Sequence, residues 1–82
     1  MKKGVVLFHT TSAVMRVEKT LLDAGLHIQL IPTPREYSSD CGISIRFEWS
    51  DLAPIKALIS QNNLDFDSIQ EIVDSPDKGQ IT

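Results

Sequence analysis

Cys41 is the residue of this chain best suited to chemistry, because it is the only cysteine among 82 residues and ends a polar loop. Arg35 and Ser39 lie in that loop, and Gly42 follows the thiol directly. A thiol becomes a nucleophile when it ionises, and a nearby cation favours its ionisation. Gly42 has no side chain, so it would leave the sulfur open to a partner. The segment therefore predicts a reactive thiol supported by Arg35, Ser39 and Gly42.

A structural interpretation of Cys41 stays open beside the chemical one. Cysteine is among the most buried residue types and often packs as a small hydrophobic side chain. Asp40 and the two serines before it favour exposure, but a carboxylate beside a thiol disfavours the thiolate. Arg35 could equally form a local ion pair with Glu36 or Asp40.

The composition excludes several kinds of site. A lone cysteine cannot form an internal disulfide, and a zinc site usually needs about four ligands, so we predict no metal and no cofactor. Acidic residues number 11 and basic residues 8, which gives a formal net charge of −3. Basic residues do not cluster beyond Lys2-Lys3, so we expect no binding to nucleic acid, which requires a clustered basic face.

Membrane insertion and secretion are not expected either. No segment approaches the ~18 consecutive apolar residues of a membrane span. The apolar run Gly4–Phe8 is shorter than the ~7 to 15 residues in the apolar region of a secretory leader. We therefore expect a cytoplasmic protein whose thiol is kept reduced.

The spacing of apolar residues predicts the elements that position Cys41. Alternation marks strands, and three- to four-residue spacing marks helices that begin at a capping hydroxyl or carboxylate. The first predicted elements are a strand from Lys3 to Phe8 and a helix that is capped by Thr11 or Ser12 and closed by Gly25. Two strands follow, one from Leu26 to Ile31 that is stopped by Pro32 and Pro34, and one from Ile43 to Trp49. The last elements are a helix capped by Ser50 or Asp51 and ended by Asn62-Asn63, and a weaker strand through Phe66, Ile69, Ile72 and Val73.

This order is typical of the ferredoxin-like βαββαβ fold, an α+β architecture with a four-stranded antiparallel sheet and two helices on one face. We predict a single domain over residues 1–74, a flexible tail over 75–82, and an open sheet face that could receive a second subunit. The first strand then ends where the third begins. This places His9 and the start of the first helix beside Cys41, where the helix N-terminus favours a thiolate. His9 could also be an ordinary polar residue at a strand end.

The segment from Leu30 to Ile43, with its Pro-x-Pro-Arg-Glu and Cys-Gly elements, resembles the putative selenium/sulfur carrier protein-like family of small bacterial domains. The resemblance extends to about residue 47. It implies a carrier whose cysteine holds sulfur or selenium as a persulfide or selenopersulfide and passes it from a donor protein to an acceptor protein. By position, Cys41 is the carrier thiol, and Gly42 and the turn 32–35 surround it.

Two other classes of function fit the residues. A binding or oligomerisation module would recognise an anionic ligand through Arg35 and the backbone amides of its loop. An enzyme would need Cys41 and His9 as nucleophile and base, together with a pocket, which so short a chain would form only as a shallow one. We expect a non-catalytic carrier rather than an enzyme. The sequence does not identify the donor, the acceptor or the atom carried.

Overall fold

The computed structural model describes residues 2–34, 37 and 41–73. Strands and helices follow the predicted order within these residues. The elements are β1 (Lys2–Leu7), α1 (Thr11–Asp23), β2 (Ile28–Pro32), β3 (Ile43–Glu48), a 3₁₀ turn (Trp49–Asp51), α2 (Leu52–Gln61) and β4 (Ser68–Val73). The predicted domain limit at residue 74 and the predicted tail 75–82 lie outside the described residues.

The strands form a four-stranded sheet in the order β2-β3-β1-β4, and every neighbouring pair is antiparallel. This is the ferredoxin-like topology, so the fold prediction is confirmed. Because β1 pairs with β3 in the middle of the sheet, the last residue of β1 and the first residue of β3 lie at the same end of these two strands. Cys41 lies at this end, just before β3.

The start of α1 differs by one residue from the prediction. Thr10, rather than Thr11 or Ser12, is the N-cap, and its hydroxyl accepts a hydrogen bond of 3.2 Å from the amide of Ala13. The end of α1 is as predicted: Gly25 has a φ of +83°, and its amide donates to the carbonyl of Leu22 at 2.9 Å. Glycine suits this left-handed position because it has no Cβ.

The second helix follows Asp51, one of the two predicted caps, and ends before the predicted Asn62-Asn63. A 3₁₀ turn precedes α2, and Asp51 makes no capping bond with its side chain. At the other end Asn63 adopts a φ of +52°, and the amide of Leu64 bonds the carbonyl of Ile59 at 3.0 Å. Asparagine tolerates this left-handed position better than most residues.

Strand β2 begins at Ile28 rather than Leu26 and includes Pro32 as its last residue. Proline cannot donate to a ladder, but β2 lies at an edge of the sheet, where a missing donor is tolerated. Ile28 pairs with Phe47 and Leu30 pairs with Ile45, so both side chains lie on the side of the sheet that faces the helices.

The core lies between the two helices and one face of the sheet. Trp49 packs against it, with its ring stacked on Phe47 at a centroid distance of 6.0 Å. A Cβ on Gly4 would lie 2.7 Å from the rings of both Phe47 and Trp49. Glycine is therefore required where β1 passes under these two aromatic side chains.

The sheet face away from the helices carries Val5 and Leu7 at its centre. These side chains are 0% and 3% exposed, so neither offers apolar surface to a second subunit. A subunit on this face stays a prediction.

Candidate functional site

Cys41 lies just before β3, at the end of the central strands where α1 begins. Its sulfur is 3.9 Å from the hydroxyl oxygen of Thr11, the first residue of α1. The N-terminus of a helix carries partial positive charge. The structure therefore places Cys41 beside the start of the first helix, as the topology predicted.

The thiol is buried in this conformation. Cys41 is 4% exposed and belongs to the hydrophobic core cluster. Strand alternation explains its burial, because Cys41 shares a face with Ile43 and Ile45, and that face packs against the helices. The exposure that Asp40 and its neighbouring serines favour is not observed.

Thr33 fixes the backbone that follows the thiol. Its hydroxyl donates to the carbonyl of Cys41 at 2.9 Å, and its amide donates to the carbonyl of Gly42 at 2.9 Å. The hydroxyl oxygens of Thr33 and Ser44 lie 2.8 Å apart. Because Thr33 has already donated its only hydroxyl hydrogen, Ser44 is the donor in this last bond.

Ser44 is a polar residue of β3 whose side chain is buried. It is 0% exposed, and Thr33 supplies the partner that a buried hydroxyl requires. The importance of Thr33 was missed. The signal was present in the sequence, since Pro32 and Pro34 have no amide hydrogen and Thr33 holds the one backbone donor of that tripeptide.

The sequence model of the putative Se/S carrier protein-like family matches residues 3–71. The chain belongs to this family. The match runs from β1 into β4 and contains Cys41, so it confirms the resemblance and carries it beyond residue 47. Comparisons with curated proteins and with solved structures give no match.

Gly42 follows the thiol directly and has open space where a side chain would begin. A Cβ built on Gly42 would meet no atom within 4 Å, and its φ lies outside the left-handed region. Neither sterics nor backbone conformation therefore requires glycine here. The prediction that Gly42 leaves the sulfur open is not met in this conformation, because Cys41 is buried.

His9 lies at the predicted end of the central strands, just after β1, and is oriented toward the start of β4. Its Nε2 atom is 3.7 Å from Oδ1 of Asp67, and 58% of its side chain is exposed. The amide of Asp67 donates to the carbonyl of Leu7 at 2.6 Å, which holds the carboxylate near His9. A role for His9 toward Cys41 stays a prediction. Arg35 and Ser39 lie outside the described residues.

A groove of about 520 Å³ in this Se/S carrier-like protein lies at the opposite end of β3 from Cys41. Its polar rim includes Lys3 and Glu48, whose charged groups are paired at 2.5 Å. The groove is lined by Lys3, Leu22, Leu26, His27, Ile28, Gln29, Arg46, Phe47 and Glu48. It therefore does not provide a pocket for chemistry at the thiol.

Residues 2–34, 37 and 41–73 contain no group of three or more His, Cys, Asp or Glu side chains that could hold a metal ion. Within the same ranges, neither helix has the length and apolar character of a membrane span.

Proposed function

We propose that this protein carries sulfur or selenium on Cys41, as a persulfide or selenopersulfide, between a donor protein and an acceptor protein. The observation that carries the proposal is the family match over residues 3–71, which includes the only cysteine of the chain. The distance of 3.9 Å between the sulfur and the hydroxyl of Thr11, at the start of α1, supports it. A helix N-terminus stabilises anions, and an ionised persulfide is one.

The proposed transfer needs no oxidant or reductant. The thiolate of Cys41 attacks the outer sulfur of a donor persulfide, a new S–S bond forms, and the donor leaves as a thiolate. To unload, a nucleophile of the acceptor attacks the outer sulfur and Cys41 leaves as a thiolate. The selenium reaction is identical, with selenium as the outer atom.

A single cysteine suits this role. A second thiol in the same chain could attack the loaded persulfide, form a disulfide and release the outer sulfur as sulfide. This chain has no second cysteine, so that internal loss cannot occur. Burial of Cys41, at 4% exposure, would also slow the loss of its cargo to small thiols in the cytoplasmic compartment that the sequence predicts.

Mass spectrometry of the intact protein tests the proposal. The reduced protein is incubated with glutathione persulfide, and we expect a mass gain of one sulfur atom that dithiothreitol removes. Cys41→Ala is the matched control, because alanine adds no polar group to the buried position. Circular dichroism establishes that the variant is folded.

Two outcomes would contradict the proposal. One is the absence of any mass gain in the wild-type protein. The other is an equal gain in the Cys41→Ala protein, which would place the added sulfur elsewhere.

A further inference from the structure

We infer that Thr33 is a positioning residue that keeps the sulfur of Cys41 inside the protein, and that local separation of Thr33 from Cys41 and Gly42 exposes it. The inference adds a regulatory step to the proposed carrier function and depends on that function for its biological meaning. Its test requires no sulfur donor.

The contacts of Thr33 form the last rung between β2 and β3. The register ends at the pair Pro32 and Ile43, and the bonds from Thr33 to Cys41 and Gly42, each 2.9 Å long, lie one step beyond it. Pro32 and Pro34 on either side have no amide hydrogen. Within this tripeptide, the position of the thiol therefore depends on donors from Thr33.

The surrounding structure is suited to opening at this point. Strand β2 is an edge strand whose one partner in the described sheet is β3, and two apolar residues of this strand pair, Leu30 and Ile43, are 42% and 37% exposed. Incomplete apolar burial is characteristic of segments that open locally below the free energy of global unfolding. The contact to Thr11, at 3.9 Å, is long for a hydrogen bond and adds little restraint.

A thiol-labelling experiment tests the role of Thr33. The reaction of Cys41 with an aromatic disulfide is followed in wild type and in Thr33→Val, which has nearly the same shape but no hydroxyl. The variant loses two hydrogen bonds, the one to the carbonyl of Cys41 and the one from Ser44. Loss of the bond to Cys41 alone shifts an opening equilibrium about fivefold, so we expect the variant to react at least about fivefold faster. Thr33→Ser keeps the hydroxyl, so its rate should remain close to that of wild type.

Ser44→Ala is the control for loss of a buried hydroxyl. Ser44 is 0% exposed, but its removal leaves the bond from Thr33 to Cys41 in place. We expect its labelling rate to rise by clearly less than that of Thr33→Val. An equal rise in the two variants would assign the effect to general destabilisation and overturn the inference.

The dependence of labelling on urea separates local opening from global unfolding. Local opening exposes little surface, so the wild-type rate should be nearly constant at low urea concentrations, whereas global unfolding has the full denaturant dependence. A rate that follows the global unfolding curve, measured by circular dichroism, at all urea concentrations would overturn the inference. This measurement needs no variant, so it tests the local opening even if Thr33→Val does not fold, and Thr33→Ser then tests the role of Thr33.

Failure of this inference is distinguishable from failure of the carrier proposal. If Thr33→Val is labelled faster but the wild-type protein takes up no sulfur, the gating role of Thr33 stands and the carrier proposal falls. If the wild-type protein takes up sulfur while Thr33→Val is labelled at the wild-type rate, the reverse holds.

Discussion

Replacement of Gly4 by alanine tests the packing of the central strand. Gly4 lies opposite Phe47 in the pairing of β1 with β3, and an added Cβ would lie 2.7 Å from ring atoms of both Phe47 and Trp49. Phe47 is only 2% exposed, so its ring cannot turn into solvent to make room. The substitution must therefore shift the backbone or force both rings out of their packing.

Overpacking of this kind typically lowers the free energy of unfolding by about 1–3 kcal/mol. We place Gly4→Ala in the upper part of this range, since two rings are contacted at once and one of them is in the core. For a domain of this size, each kcal/mol lowers the melting temperature by about 4–8 °C. Urea denaturation followed by circular dichroism measures the free energy directly.

Gly42→Ala is the matched control, with the same added methyl group. Its Cβ would enter empty space, so we expect a change within about 0.5 kcal/mol or a slight stabilisation from reduced chain entropy. Equal unfolding midpoints for the Gly4→Ala and wild-type proteins would refute the reasoning. They would mean that the rings adjust without loss of packing.

Two further substitutions test the helix terminus and the histidine. Gly25→Ala places a Cβ on a residue with φ of +83°, and should lower the free energy of unfolding by about 1–2 kcal/mol in urea denaturation; an unchanged midpoint would contradict this conformation. His9→Ala removes an exposed ion pair with Asp67, which should change stability by at most about 1 kcal/mol and leave the labelling rate of Cys41 unchanged. Slower labelling of His9→Ala at neutral pH would instead support the predicted action of His9 on the thiol.

The sequence predicts the elements that depend on local patterns. The apolar stripe of α1, its closure at Gly25 and the end of α2 at Asn62-Asn63 follow from periodicity and from the conformations that glycine and asparagine tolerate. Short-range signals of this kind were sufficient for the ferredoxin-like order. They also directed attention to Cys41, through the polar loop that precedes it.

The missed features depend on residues that are distant in the chain. Alternation assigns Ser44 to the solvent side of β3, but a hydroxyl from Thr33, in the preceding hairpin arm, makes its burial possible. Polar neighbours suggest an exposed Cys41, but strand pairing turns its side chain toward the helices. Gly4 is required only because pairing brings β1 beneath Phe47 and Trp49, which no local pattern reveals.

Strand β3 separates two natural probes in a single element. The only tryptophan, Trp49, follows its last residue, and the only cysteine, Cys41, precedes its first by two positions. At a rise of about 3.3 Å per residue, the indole and the sulfur report on opposite ends of the molecule. If tryptophan emission stays constant while Cys41 is completely modified, the opening is confined to the Cys41 end of β3. Both signals can be recorded on the wild-type protein in a single cuvette.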